Sequence, residues 1–394
     1  EKASWDEVYK IIKSKIENTN KEEIGGFVGD LINMEASFIF KEFFDRTISS
    51  SKYDYRSSKS FIDNSTRENY LFNSKINGIE ESDFILLIGT NPRFEATMLN
   101  ARIRKAYLAN NTNIVSLNDL GDLTYPYKFL DGKTQTIKDI VENKNEITKG
   151  IINSKKPMII FGESFLSSNS ANYLFNSFKA FLNENNKFGK DWNPLNILSS
   201  DAATVGSLDL DIVDETNELL KNLKDNKLKI IYLLGRDNLD FNKKDEFIIY
   251  QGSHGDKGAE IADIILPGAA YTEQTGHFTN LEGKIQKAYK ASYPPGDAKE
   301  DWQIINDLAE IMNNRKLFND KDELESSMHN YLNLKNDKQK ETHINNFVRD
   351  NFENEDLKIN YKDYYFSNVI ARSSKTMLDC FNSKSEIKRT GTEG

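Results

Sequence analysis

The strongest constraint on this chain is a set of short, largely apolar runs that stop at glycine. Phe84 to Ile88 is five apolar residues and leads directly into Gly89-Thr90-Asn91-Pro92. Pro157 to Phe161 is followed by Gly162, and Leu228 to Leu234 by Gly235-Arg236-Asp237. Ile114 to Leu117, Phe247 to Tyr250 and Ile261 to Leu266 are runs of the same kind. Runs this short and this continuous suit strands buried on both faces, as in a parallel sheet. Helical spacing fills the gaps. Phe94 to Leu108 carries Leu99 and Ile103 on one side, and Ala171 to Leu182 turns Tyr173, Leu174, Phe178 and Phe181 inward. Strand alternating with helix predicts a doubly wound α/β chain with right-handed crossovers. At 394 residues the chain exceeds what one core usually holds, so two parallel sheets are expected.

The flanks read differently. Ser4-Trp5-Asp6-Glu7 is a capping box ahead of the apolar stripe Val8, Ile11, Ile12 and Ile16. Ile24 to Gly29 suits a strand and tight turn, Met34 to Phe44 a helix, and Ser49 to Asn69 a loop. Beyond Met312 the composition shifts: Asn313 to Asp356 is dense in Asn, Lys, Asp and Glu, fitting a solvated helical extension. Tyr361 to Phe381 regains aromatics and is expected to pack back on the body or on a neighbour, and 382–394 reads as a flexible tail. No targeting signal is visible at the N-terminus, and no run approaches the roughly 20 apolar residues that span a bilayer. With 61 acidic against 52 basic residues, nucleic-acid binding is disfavoured. The single cysteine, Cys380, rules out an iron–sulfur cluster held on cysteines of this chain alone, a Cys-rich zinc site and an internal disulfide. It reads as a small buried apolar residue.

Four groups could carry chemistry. Gly89-Thr90-Asn91-Pro92 lies beyond the carboxyl end of a strand, where α/β sheets bind ligands. A phosphate or pterin cradle competes there with a plain turn in which Pro92 opens a helix, and neither a GxGxxG nor a Walker sequence supports the cradle. Arg93 suits an anion site at that helix start, whereas Arg102, Arg104 and Lys105 suit a solvated or subunit-facing surface. Glu273 and His277 have the i, i+4 spacing of two metal ligands. Gly276 interrupts any helix between them, no third ligand is near, and His329 and His343 fall in the polar extension. His254 has no nucleophile motif beside it and reads as a hydrogen-bonded loop residue. No catalytic residue and no metal site are expected.

Three blocks carry a resemblance: Gly89 to Tyr107, Tyr250 to Trp302 and Tyr361 to Met377. The middle one holds His254-Gly255-Asp256, Leu266-Pro267-Gly268-Ala269-Ala270-Tyr271-Thr272-Glu273, Glu282-Gly283, Pro294-Pro295-Gly296 and Glu300-Asp301-Trp302. In order and spacing they resemble the C-terminal portion of the large iron–sulfur (75 kDa) subunit family of respiratory complex I, within the wider molybdopterin-oxidoreductase fold family. The resemblance implies a molybdopterin-oxidoreductase-like fold in two lobes with a helical C-terminal extension. Residues 1–150 and 236–312 would form the main lobe, 151–235 an inserted smaller lobe, and 313–381 the extension. It implies a structural role, with Gly89, Asn91 and Pro92 a vestigial pterin-type turn. The iron–sulfur clusters and FMN are expected on partner subunits, including a separate N-terminal ferredoxin-like chain. It places the chain on the matrix side of the mitochondrial inner membrane, or on the cytoplasmic face of a bacterial one, without membrane insertion. The alternative is a molybdopterin-dependent oxidoreductase domain with bound pterin.

Overall fold

The computed structural model describes residues 2–239, 241–341, 352–360 and 364–386. In chain order the strands are β1 (Ile24–Val28), β2 (Tyr53–Asp54), β3 (Phe84–Ile88), β4 (Asn113–Ser116), β5 (Lys128–Phe129) and β6 (Pro157–Gly162). They continue with β7 (Leu195–Leu198), β8 (Ile230–Leu234), β9 (Phe247–Gly252), β10 (Ile264–Pro267), β11 (Gly276–Thr279) and β12 (Ile285–Ala288).

Two five-stranded sheets result, ordered β10-β9-β8-β1-β2 and β5-β4-β3-β6-β7, and every pairing within them is parallel. β11 and β12 form a separate antiparallel hairpin. Every residue of β1, β3, β6 and β8 is buried, as strands covered by helices on both faces require. Phe40 and Phe43 of the helix Met34–Phe43, with Phe44 just beyond it, pack edge-on around Tyr232 or one another, with Phe40 and Tyr232 centroids 5.1 Å apart.

The sheets divide the chain differently from the lobes expected above. β3 to β7 make one continuous sheet over 84–198, and β8 rejoins β1 in the other. Phe84–Ile88 and Asn113–Ser116 therefore belong to the inserted lobe, and Leu228–Leu234 to the main one. An apolar run announces a strand but not its neighbour. Ile230 and Ile24 are register partners across some two hundred residues of chain, and nothing local encodes that pairing.

Local corrections follow backbone detail. The helix expected over Phe94 to Leu108 is two pieces, Pro92–Glu95 and Thr97–Asn110, broken at Ala96 (φ −148°, ψ 68°). A short helix, Lys257–Glu260, precedes the run Ile261 to Leu266, and the strand within that run starts only at Ile264. Glu273 and His277 share no helix, since His277 lies in β11. The capping box holds at its first half, Ser4 Oγ accepting from Glu7 N–H at 3.3 Å.

The extension begins as the helix Lys321–Glu341, and residues 342–351 lie outside the described part. Residues 352–360 run extended, and the helices Val369–Ser373 and Lys375–Glu386 follow. The second of these enters the stretch expected to be a flexible tail, of which 387–394 lie outside the described residues. Cys380 is exposed on it rather than buried, because this terminal helix turns that face to solvent.

The Glu300-Asp301-Trp302 motif has a structural task. Asp301, fully buried at the start of the helix Asp301–Asn313, accepts from Gln251 Nε2 of β9 at 2.9 Å and Gln274 Nε2 at 2.6 Å. Gln251 Oε1 in turn accepts from Tyr232 OH at 2.6 Å. Burial pushes the Asp301 carboxyl up to about 6, against the pull of the two amide donors. One buried network thus ties β8, β9 and the segment before the hairpin to one helix N-terminus.

Candidate functional site

In each sheet the chain leaves a first strand in one direction and later returns to its other side. These switch points fall between β3 and β6 and between β1 and β8. In open α/β sheets the crevice beyond the carboxyl ends at such a point is the ligand position. Both switch points are built alike. β3 ends at Gly89 (φ +66°) and β8 at Gly235 (φ +61°), a backbone region only glycine enters freely. The adjacent strand ends on glycine as well. A Cβ on Gly162 would lie 2.4 Å from Gly89 O, and one on Gly29 1.8 Å from Gly235 O. Close backbone approach requires glycine at Gly29, Gly89 and Gly162, and the positive φ requires it at Gly235.

A cavity of about 490 Å³ lies between the two carboxyl ends, with Tyr55, Arg56, Glu163, Asp201, Arg236 and Asn360 among its walls. Its two arginines are already engaged. Arg56 pairs with Asp54 (Nη2 to Oδ2 2.7 Å) and donates to Asn217 Oδ1 at 2.7 Å. Arg236 pairs with Asp30 and donates to the carbonyls of Val28 and Tyr55.

At the first switch point the chain's own carboxylate fills the turn. Glu95 Oε2 accepts from Asn91 N–H and from Thr90 Oγ1, each at 2.5 Å. The Asn91 side chain is spent too, accepting from Arg93 N–H at 3.2 Å and donating to Leu120 O at 3.2 Å. Burial, helped by the neighbouring Glu163 charge, raises the Glu95 carboxyl to about 7, while the two donors pull it down. Glu95 was not singled out in the sequence. A Glu in the first turn of a helix is an ordinary capping signal, and that signal was available.

The C-terminal segment crosses these mouths. Leu357 N–H donates to Gly132 O at 2.7 Å, beyond β5, and Asn118 Nδ2 to Leu357 O at 2.8 Å, beyond β4. Asn360 N–H donates to Ser164 Oγ at 2.9 Å, beyond β6. Tyr364 N–H reaches Phe94 O at 3.2 Å, and Arg372 Nε binds Asp256 Oδ2 at 2.5 Å, beyond β9.

The other candidates separate in space. Arg93 pairs with Asp122 at 2.6 Å. Arg102 and Lys105 both hold Glu80, at 2.5 and 2.6 Å, and Arg104 remains exposed. His254 Nδ1 meets Ser253 Oγ at 2.9 Å, and its carbonyl accepts from Tyr250 OH. Glu273 accepts from Ala270 N–H at 3.0 Å. His277 instead meets Glu35, Nδ1 to Oε1 at 2.5 Å and backbone N–H to Oε2 at 2.7 Å. That partner lies 242 residues away, beyond any sequence signal.

Two parallel sheets joined at their carboxyl ends around paired glycine switch points define the class, and the chain belongs to the molybdopterin oxidoreductase family, whose model matches residues 1–311. Among individual proteins it is similar to the NADH-ubiquinone oxidoreductase 75 kDa subunit of Reclinomonas americana, 36% identical over 402 residues that cover 96% of this chain and 58% of that one. An NADH-quinone oxidoreductase subunit of Rickettsia bellii is 34% identical, with 99% of this chain and 57% of that one covered. The mitochondrial NADH-ubiquinone oxidoreductase 78 kDa subunit of Candida albicans is 34% identical, with 97% and 55% covered. The chain thus spans well under two thirds of these relatives' length. The resemblance carried by the three sequence blocks extends over nearly the whole chain. A chain of the formyltransferase/hydrolase complex from Methylorubrum extorquens shares the fold, with TM-score 0.50, 10% identity, and 79% of this chain and 96% of that one covered.

The family name implies a pterin cofactor, and the residues at the first turn do not fit one. Its phosphate would meet the Glu95 carboxyl where donors are needed, and the donors of Thr90 and Asn91 already have their acceptor.

Proposed function

We propose that this chain is a structural part of the hydrophilic arm of respiratory complex I, with no redox centre of its own. The observation that carries the reading is the turn at Gly89–Pro92, closed from within by Glu95. A turn satisfied by its own carboxylate is a rigid joint between strand and helix, and in this sense Gly89, Asn91 and Pro92 are a vestigial cofactor turn. The relatives named above, at 34–36% identity, support the assignment to this complex. The single cysteine supports placing the iron–sulfur clusters on other chains, and the assignment to this complex puts FMN there as well. An N-terminal ferredoxin-like partner and neighbouring arm subunits complete the proposal.

The location that follows is the matrix face of the mitochondrial inner membrane, with attachment through partners. No helix among the described residues is long and apolar enough to cross a membrane.

The test is a native gel of detergent-solubilised membranes stained for NADH dehydrogenase activity, with peptide identification in the active band. Peptides of this chain in that band, beside a separate Cys-rich polypeptide, support the whole reading. The chain running alone, outside the band, or releasing pterin on denaturation, overturns it in favour of a free-standing molybdopterin-dependent domain.

A further inference from the structure

Away from the crevice, three elements converge on His277. Glu35 comes from the first turn of the helix Met34–Phe43, His277 from β11, and Glu325 from the helix Lys321–Glu341. The ligand atoms of Glu35, His277 and Glu325 all lie within 4.8 Å of one another. Glu35 and His277 are buried and Glu325 is half-buried. His329 stands one turn beyond Glu325 on the same helix face, its ring edge-on to His277 at 5.4 Å between centroids. Among the described residues no hydrogen bond reaches either ring nitrogen of His329, and only Nδ1 of His277 is engaged. Lys287 of β12 holds Glu325 from the other side at 3.0 Å.

We propose that Glu35, His277 and Glu325 form a binding site for a divalent first-row transition ion, zinc being the best fit, with His329 turning in from outside that cluster as the fourth ligand. Two imidazoles and two carboxylates are a donor set for such an ion, whereas calcium and magnesium prefer oxygen alone. Charge agrees once the exposed Lys287 releases Glu325 to the ion, since two carboxylates then balance a dication. The ion takes the place of the proton now shared by Glu35 and His277, whose 2.5 Å contact must open to the ligand–ligand spacing of a tetrahedral site. Glu325 and His329 supply the i, i+4 pair that a helix presents to a metal. The bound ion would staple the β11–β12 hairpin between the core helix beneath it and the extension helix above it.

The experiment uses the 394-residue chain carrying Cys380→Ser, stripped with chelator and titrated with zinc chloride by calorimetry. One equivalent should bind, and its affinity should fall tenfold or more in both His329→Ala and Glu325→Gln, while His254→Ala matches the parent. Cobalt(II) in the same site should give the visible absorption of a tetrahedral nitrogen–oxygen set. His329 makes no hydrogen bond among the described residues, so its alanine variant should keep the parent's circular dichroism and melting temperature without metal. The parent and His254→Ala should gain more melting temperature with zinc than either ligand variant. No zinc uptake by the parent, or uptake of equal affinity in both variants, overturns the site and leaves a histidine–glutamate hydrogen bond with a separate lysine–glutamate pair.

Discussion

The two switch points share backbone geometry and differ in what fills them. At β3 and β6 the turn after Gly89 is closed by a carboxylate, Glu95, which takes up free N–H and O–H donors. At β1 and β8 the turn after Gly235 is closed by a guanidinium, Arg236, which takes up the carbonyls of Val28 and Tyr55 and the charge of Asp30. Each fill matches the polarity of the groups it meets. A parallel sheet ends in orphan polar backbone at its carboxyl edge, and burying that edge demands a partner for every group. A bound cofactor is one way to supply partners, and the chain's own side chains are another. The stability cost also differs. Arg236 is paired with Asp30, whereas Glu95 is a carboxyl whose burial, beside Glu163, makes ionisation expensive.

The largest break in this comparison should come from Arg236→Ala, which removes a buried guanidinium from Asp30 and from the carbonyls of Val28 and Tyr55. A loss of about 3–5 kcal/mol is expected, read from the urea midpoint of the purified chain. A loss below 1 kcal/mol would mean that the guanidinium is not the closing group. Next is Gly29→Ala. Its Cβ would lie 1.8 Å from Gly235 O, which is backbone and has no rotamer to yield, so a loss of about 3 kcal/mol is expected. Gly162→Ala should cost less, because part of what it meets is the Thr90 side chain.

Glu95→Gln should act in the opposite direction. The carboxyl rises from 4.5 to about 7 on folding, so the folded chain holds an extra proton between those values. Stability therefore falls as pH rises through that window. The variant should gain about 2 kcal/mol relative to the parent at pH 8, with the difference closing below about pH 4.5. A flat difference across pH would sink the ionisation argument. Smallest is Glu163→Gln. Removing that neighbouring charge should move the Glu95 midpoint down from about 7, by a fraction of a unit, as followed by the pH dependence of the urea midpoint. An unmoved midpoint would leave burial as the sole cause.

Much of this was legible in the chain itself. The runs Phe84–Ile88 and Pro157–Phe161 became strands where they stood, and the glycines after them became the switch points. The contacts of Tyr364 and Arg372 bear out the packing of the aromatic C-terminal segment onto the body. The lobe boundaries were not legible. The inserted sheet opens at Phe84 rather than at 151, because strand partners are chosen by contacts across the fold. His277 was weighed with Glu273, its neighbour in sequence, yet its partner is Glu35.

By itself the sequence determined the α/β class, the central strands of both sheets with the glycines of the switch points, and membership of the family. Hydrophobic period and glycine conformational freedom act over a few residues, so a few residues suffice to reveal them. Only the tertiary structure decided which strands share a sheet, which charge closes each switch point, and which side chains gather around His277. Those outcomes depend on groups brought within a few ångströms from opposite ends of the chain, and no local pattern records that meeting.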